Sequence, residues 1–511
     1  MKWMGCFLWF FFAVAIVQGQ RVVYSSPVND ENAEINFEIV GKVGNRYVVY
    51  KQVRSRHYVS LYDEDMKLIN NEQLNVIPDK TFNVDVVAYP DYFFLIYQYN
   101  RNRQVFCKAI KVNANGSQVG EPMLLDDSRI SAFSEKKIYS VSVSEDKQKI
   151  LVYKALRKGN KLTLIAKVFN PLIELTDSAQ ILLTYNEKRD SYGELTITNK
   201  GLIVFPYTEK HTARDNFFLL NTLVRFPQSD SVAKINIPLQ NNYIDEVSVK
   251  YDNLNNRALL NSLYTDKVRG NILGLFAAIV SPGNPDDARV VFNLFPDSVR
   301  NKMSMEGYIQ SAFNDIYLRN AVLKLDGGVI LNLEDFSTRT SGSPYRNRFD
   351  YLYGSPYSSP YGGFNDYYLY SPSYYGYYRP YYSNRYYNSH TEYYYNNILV
   401  ISLDKDLKPE WNTMLFKKQV AVDTDNFLSF GSVVMGGALH YLFMESDRSS
   451  SILNDNAVFP NGETKRFPTV KGSANAYNYM PKLMKQVSSN TVIIPCIYRG
   501  NIIFAKIDFE R

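Results

Sequence analysis

Cysteine is nearly absent. The 511 residues hold three, and Cys6 lies close to the start. Beyond it only Cys107 and Cys496 remain, too few for a disulfide framework or a thiolate zinc site. Both sit in apolar, strand-like runs, Val105-Phe106-Cys107 and Ile493-Ile494-Pro495-Cys496-Ile497, and read as small buried hydrophobes. Histidine is almost as rare: His57, His211, His390 and His440 are scattered, and none has a metal-ligand spacing. No Gly-x-Ser-x-Gly elbow, phosphate loop or dinucleotide glycine pattern occurs. No catalytic residue, metal site or cofactor is therefore expected. The net charge of +6 is diffuse, which argues against a nucleic-acid partner. After Val17 no run is long and apolar enough to span a bilayer as a helix.

The first residues carry a different signal. Lys2 precedes an uncharged apolar stretch, Trp3 to Val17, and Val17-Gln18-Gly19 offers a small residue for cleavage. Residues 1–19 read as a secretory signal peptide, with Gln20 as the mature N-terminus. Cys6 lies too early in that stretch for lipid attachment after cleavage. Export would place the protein in the periplasm, on the cell surface or outside the cell. Asn115-Gly116-Ser117 is a glycosylation triplet and reads equally well as a turn.

Apolar residues make up 45% of the chain, enough for a large core, and helical periodicity is scarce. A strand, a short polar turn and a second, more apolar strand recur instead. Examples are Phe37 to Val43 with Arg46 to Tyr50, Asn83 to Tyr89 with Tyr92 to Tyr97, and Leu195 to Thr198 with Leu202 to Phe205. The turns fall near residues 45, 91, 146, 200, 255, 327, 437 and 489, and four of the seven spacings are 52 to 55. Two further strands follow most hairpins. Four short antiparallel strands per unit is the pattern of a β-propeller blade. The reading is one all-β propeller over 20–511 with eight four-stranded blades, seven being the fallback. The last unit lacks a fourth strand, and Val22-Val23-Tyr24 is a spare one, expected to complete that blade and close the ring.

The turn Ser144-Glu145-Asp146-Lys147-Gln148-Lys149-Ile150 resembles the Ser-Pro-Asp-Gly-Lys turn of the TolB-type repeat, without its Pro and Gly. At the level of pattern the mature chain is similar to secreted bacterial β-propeller proteins with WD40-like repeats. No Trp-Asp pairs recur. The resemblance implies the fold and at most a binding platform.

Residues 343–397 break the composition. Tyr345 to Tyr395 contains 19 Tyr in 51 residues, with Ser, Pro, Gly, Asn and four Arg (346, 348, 379 and 385). The segment is expected to be a low-complexity loop inserted in the sixth blade, between its second strand and a third beginning at Asn397. Tyrosine gives flat apolar faces with a hydroxyl at low entropy cost, and arginine adds cation–π contacts. Tyr374, Tyr375, Tyr377, Tyr378, Arg379, Tyr381 and Tyr382 are the candidate binding residues.

Two acidic groups, Asp63-Glu64-Asp65 and Asp404-Lys405-Asp406, could suggest calcium. Both precede a fourth strand, so their recurrence favours turn chemistry. Glu38, Asp85, Glu194 and Glu246 lie in or beside first strands, the channel-lining position of a propeller. The expected function is an exported, non-catalytic binding or scaffold protein. Its partner would be a protein or polysaccharide of the envelope or extracellular space. The alternatives are a propeller-type carbohydrate-active enzyme, a glycosidase or lyase using converging carboxylates, and a Tyr-rich adhesion or matrix protein.

Overall fold

Short strands rich in Val, Ile, Tyr and Phe bury both faces of their sheets in this computed structural model. It describes residues 20–27, 35–129, 138–305, 315–340, 390–447, 450–470 and 477–509. Residues 1–19, read above as a signal peptide, and most of the Tyr-rich segment lie outside these. The architecture is all-β, a propeller of antiparallel sheets. One helix, Asp297–Met305, and one short 3₁₀ turn, Pro481–Leu483, are the helical elements among the described residues.

Eight consecutive strand groups, called units one to eight below, can be traced along the described chain. Their first strands include Ile35–Val43, Thr81–Ala88, Tyr139–Val143, Thr196–Ile197, Ser248–Asp252, Ile316–Leu323, Phe430–Met435 and Lys485–Gln486. Within a unit each strand pairs with the next, as in Ile35–Val43, Arg46–Val53, Arg56–Tyr62 and Leu68–Gln73. Units four and five are joined into one ten-stranded sheet because Tyr243–Ile244 pairs with a strand of each. In unit eight, Arg21–Tyr24 pairs antiparallel with Asn501–Asp508, in the register Arg21↔Asp508 to Tyr24↔Ala505.

The core lies between neighbouring sheets. Val48, Tyr50, Val59 and Leu61 of unit one pack on Val84, Phe93, Leu95 and Tyr97 of unit two. Phe37, Ile39, Tyr47 and Val49 of unit one pack on Met480, Ile493 and Phe504 of unit eight, so the first and last units share a core. Each such fully buried side chain contributes roughly 1.5–3 kcal/mol. The fourth strands face solvent, and Leu68–Gln73 is exposed along most of its length.

Turn chemistry repeats with the units. Asp63 Oδ1 accepts from the N–H groups of Asp65 and Lys67, and Asp404 Oδ1 does the same for Asp406 and Lys408. Asn113 and Asn170 serve Asn115 and Ser117, and Leu172 and Glu174, in the same way. The side chain closes its own backbone in an Asx turn. Met66 and Leu407 take the left-handed conformation beside it while burying their side chains fully. The two acidic groups are thus turn formers in a recurrent motif, and Asn115 is an exposed residue of such a turn.

Candidate functional site

Unit six departs from the other units. Its second strand, Val329–Thr340, and third, Thr391–Leu403, run on together beyond Leu415, where the fourth strand ends. The pairing continues from Phe336↔Tyr395 to Thr340↔Thr391. Gln419–Val422 then adds to Glu392–Tyr395 on the other side. The chain flanking residues 341–389 therefore extends past the rest of the unit-six sheet in a three-stranded ribbon. The third strand starts at Thr391, not Asn397, and Tyr393, Tyr394 and Tyr395 are strand residues. Their β-propensity is satisfied by partners on both sides, which composition alone does not reveal. Tyr374, Tyr375, Tyr377, Tyr378, Arg379, Tyr381 and Tyr382 lie outside the described residues.

The two ribbon faces differ. One packs Phe336 and Tyr395 with Tyr317 and Leu428, flanked by Tyr393 and Ala421. The other presents Arg339, Tyr394, Val420 and Val422, with Val420 and Val422 about half exposed at 53% and 47%. Arg339 lies over the Tyr394 ring at 5.9 Å, and the Tyr394 hydroxyl donates to Glu392 at 2.6 Å.

Beneath the ribbon is a buried ionic cluster. Glu334 is fully buried, with Lys417 Nζ 2.7 Å from Oε1 and Arg319 Nε donating to Oε2 at 2.8 Å. Ser429 Oγ also donates to Oε2 at 2.8 Å. Lys417 Nζ donates to Gln419 Oε1 at 3.0 Å, and Gln419 Nε2 donates to the Met444 carbonyl at 2.7 Å. The Arg319 guanidinium sits 5.3 Å from the Phe336 and Tyr395 ring centres. The Tyr395 hydroxyl donates to Asp425, which also holds Lys482 at 2.8 Å. The cluster thus ties the ribbon to units six, seven and eight. Burial pulls the Lys417 ammonium below the usual lysine range, and Glu334 opposes that pull.

Asp335 adjoins the cluster. Its carboxyl is pushed up to about 6 by burial, with repulsion from Asp315 and Glu334 adding to the effect. The Asn396 side-chain amide, 3.2 Å away, and Lys417 work in the opposite direction. A raised native value means the folded state holds a proton that the unfolded chain has released between about pH 4 and 6. The stabilising contribution is complete below about 4 and is lost as pH rises through about 6, about 2–3 kcal/mol in all. Asp335→Asn keeps the amide contact without the charge. Its stability relative to the parent is expected to rise across that window and then level off. Urea midpoints of both proteins from pH 4 to 7.5 measure it, and a pH-independent difference contradicts the assignment.

The first strands carry a second set of polar groups, ordered by the register of their hairpins. Each first hairpin closes at a defined residue: Val43, Tyr89, Ser144, Thr198, Asp252, Lys324, Met435 and Val487. Two residues earlier stand Gly41, Val87, Ser142, Thr196, Lys250, Val322, Val433 and Lys485. In units two to eight, two residues earlier again, stand Asp85, Ser140, Glu194, Ser248, Asn320, Gly431 and Leu483. In unit one the bulge between Ile39 and Gly41 brings Glu38 to that level. Glu38, Asp85 and Glu194 thus share one tier, as their first-strand positions suggest. Glu246 lies two residues further from the turn and belongs to the next tier. The lysine tier has no sequence signature, because its alignment depends on where each hairpin closes. Lys250 feels Glu194, and Lys485 feels Glu38 and Lys147, while enclosure lowers both ammonium groups from the usual range. Asp85 Oδ2 accepts from Asn83 Nδ2 at 2.6 Å.

The histidines have local partners. His57 is buried, with Nδ1 2.6 Å from the Tyr50 hydroxyl, and His440 is buried 2.9 Å from Asp455. His390 meets Asp423 at 2.8 Å, and His211 stacks on Phe218. Among the described residues no group of three or more His, Cys, Asp or Glu is arranged to hold a metal ion. Cys107 and Cys496 are buried and form no disulfide, and enclosure pushes the Cys496 thiol up. No helix of the described residues is long and apolar enough to cross a membrane.

No family model and no curated protein matches the sequence. Among solved structures, the chain is similar to prolyl oligopeptidase B from Galerina marginata at 6% identity and a TM-score of 0.42, covering 92% of this chain and 56% of that one. The chain therefore spans little more than half the length of that protein. It is also similar to the polysaccharide lyase Uly1, at 8% identity and a TM-score of 0.39 over 84% of this chain and 90% of the other. The β-propeller domain of the Trilobed protease from Pyrococcus furiosus matches at 10% identity and a TM-score of 0.35, covering 84% and 98%.

Proposed function

We propose that the protein is an exported binding protein: an eight-bladed propeller, closed by its N-terminal strand, that holds the Tyr-rich segment away from the ring as a contact surface. The observation that carries this reading is the ribbon and the ionic cluster beneath it. Burying Glu334, Lys417 and Arg319 is unfavourable unless the three are held together. That arrangement stands at the root of the segment richest in Tyr and Arg. A firm base lowers the ordering entropy a binding loop must lose, and Tyr with Arg suits stacking on sugars or peptides. The partner is a polysaccharide or protein of the envelope or extracellular space. The signal-like residues 1–19 support export.

The test replaces residues 341–389 with a short Gly-Ser linker and compares both proteins on immobilised polysaccharides and envelope proteins. The parent is expected to retain at least one of these, and the replacement to lose it with an unchanged melting curve. Equal binding by both proteins refutes the reading. Loss of self-association instead favours the adhesion alternative. A second reading, a carbohydrate-active enzyme, draws on Glu38, Asp85 and Glu194 sharing one tier, since suitably spaced carboxylates can cleave glycosides. It predicts polysaccharide cleavage that survives the linker replacement and disappears in Glu194→Gln.

A further inference from the structure

The turns between second and third strands carry charge of one sign. Antiparallel pairing puts them at the end of the units from which the ribbon extends, because the ribbon prolongs the second and third strands of unit six. Unit one turns at Arg54-Ser55 with Arg56 following, unit two at Asn102-Arg103 after Arg101, and unit three at Gly159-Asn160 between Lys158 and Lys161. Arg214 lies in the corresponding connection of unit four, Lys267 in that of unit five and Arg499 in that of unit eight. All of these cations are exposed, and none forms an ion pair among the described residues. Arg157 and Arg269, beside them, are held by Glu187 and Asp215. The exposed acid on these turns is Asp266 of unit five. The connections from one unit to the next at this end add both signs, as in Asp79-Lys80 and Glu187-Lys188-Arg189. The third-to-fourth turns, at the other end, also mix signs: Asp63, Glu64 and Asp65 with Lys67, and Asp404 and Asp406 with Lys405 and Lys408. Charge that looks diffuse along the sequence is therefore sorted by the fold.

Turn chemistry does not account for the arginines. Arg54, Arg103 and Arg499 take φ of 58°, 64° and 48°. Two-residue hairpins fill such left-handed positions with Asn, Asp or Gly, and other L-residues adopt them at a cost. Arginine gives the backbone nothing that asparagine would not. It does place a charged fork of donors at the tip of a hairpin.

The units concerned are neighbours. Units eight and one, one and two, two and three, three and four, and four and five each share a core. Packed sheets lie about 10 Å apart, so successive turns make an arc on which one extended polymer can meet several cations. The arc ends at the ribbon of unit six, where Arg339 is exposed. Unit seven interrupts it, with Glu445 near its turn held to Arg466.

We infer that this arc binds an acidic polysaccharide through the carboxylate or sulfate groups along its chain. A linear polyanion carries its charges at intervals, as the arc does, and a guanidinium can donate to two oxygens of one anionic group. The choice of polymer rests on the reading of an exported binding protein, whereas the site does not involve the Tyr-rich segment.

The probes are polygalacturonate and, in a second arm, dextran sulfate, with neutral dextran as control and single-stranded DNA as a rival polyanion. The full mature chain is compared with a triple variant, Arg54→Asn with Arg101→Gln and Arg103→Asn. A double variant at the other end, Lys405→Gln with Lys408→Gln, is the charge control. Asparagine suits the left-handed positions better than arginine, so the triple variant should melt at the same temperature or higher. The parent should bind one or both probes but not neutral dextran, with an affinity that falls as salt rises. The triple variant should bind about tenfold more weakly and the double variant as the parent does. Binding of polygalacturonate alone assigns carboxylates, and of dextran sulfate alone, sulfates. Replacing residues 341–389 should leave most of this binding in place. If that replacement abolished it while the triple variant bound like the parent, the Tyr-rich reading would stand and the arc would not. Equal losses in the triple and double variants, no binding of either probe by the parent, or tighter binding of DNA than of both probes also overturns the inference.

Discussion

Removing residues 20–25 is expected to abolish cooperative folding at room temperature or to lower the unfolding free energy, read from urea titrations, by several kcal/mol. The segment is short, but it touches three units. Arg21–Tyr24 forms the outer strand of unit eight. The Ser25 N–H donates to the Phe504 carbonyl at 2.9 Å, and the Phe504 N–H donates to Ser25 Oγ at 3.0 Å. The Tyr24 hydroxyl is 2.5 Å from that of Tyr479, and its ring stacks on Tyr477 at 4.2 Å. Gln20 Nε2 donates to Asp455 of unit seven at 2.9 Å, and Arg21 meets Asp65 of unit one at 3.0 Å. The exposed Arg21 pair contributes little. The backbone bonds, at about 1 kcal/mol each, and the partly buried Val22, Val23 and Tyr24 amount to about 4–6 kcal/mol. A typical domain has only about 5–15 kcal/mol in total. Truncation also bares the edge of Asn501–Asp508, which invites edge-to-edge aggregation. Comparing chains 20–511 and 26–511 by urea unfolding and light scattering tests this. Addition of a peptide spanning residues 20–26 should restore part of the loss. Equal midpoints would show that the strand is dispensable and that the first and last units hold together without it.

Much of this architecture was legible because its causes are local. Gly44-Asn45, Asn199-Lys200-Gly201 and Gly436-Gly437 announce hairpins by their φ preferences, and Gly44, Gly201, Gly436 and Gly437 all take positive φ. Runs such as Tyr92 to Ile96 lack alternation because sheets cover both faces. The pairing of Val22-Val23-Tyr24 was inferable from a missing strand. The ionic cluster was not. Arg319 and Glu334 share one hairpin of unit six but Lys417 and Ser429 lie far along the chain, and a charged residue in a strand normally reads as solvent-facing. Only the approach of units six and seven brings these groups together. The ribbon was hidden for a related reason. Tyr393-Tyr394-Tyr395 matches the composition of the segment before it, and the partner that makes it strand, Gln419–Val422, lies beyond the fourth strand. The tiers of the first strands were half legible. The positions of Glu38, Asp85 and Glu194 in or beside first strands could be read from the sequence, whereas aligning Lys250 with Lys485 needed the closing residue of each turn.

The ionic cluster gives the second large effect. Glu334→Ala is expected to destabilise the protein by about 3–5 kcal/mol, because it leaves Lys417 and Arg319 buried beside each other without their shared anion. Lys417→Met should cost less, since Glu334 keeps Arg319 and the Ser429 hydroxyl and the remaining pair is neutral. Replacing all three, as Glu334→Leu with Lys417→Met and Arg319→Met, should recover much of the loss. Apolar groups of similar volume need no solvation. This order, single anion loss worst and triple replacement milder, separates a charge effect from a packing effect. A packing effect would make the triple variant the worst. The cluster also carries the ribbon through Tyr395 and Gln419, so protease sensitivity near Thr340 and Thr391 should rise in Glu334→Ala before global unfolding. Urea midpoints of the three variants, with protease mapping under native conditions, test both statements. If Glu334→Ala and the triple variant lose equal stability, the cluster holds the ribbon by shape alone. The case for an electrostatically anchored platform would then fall.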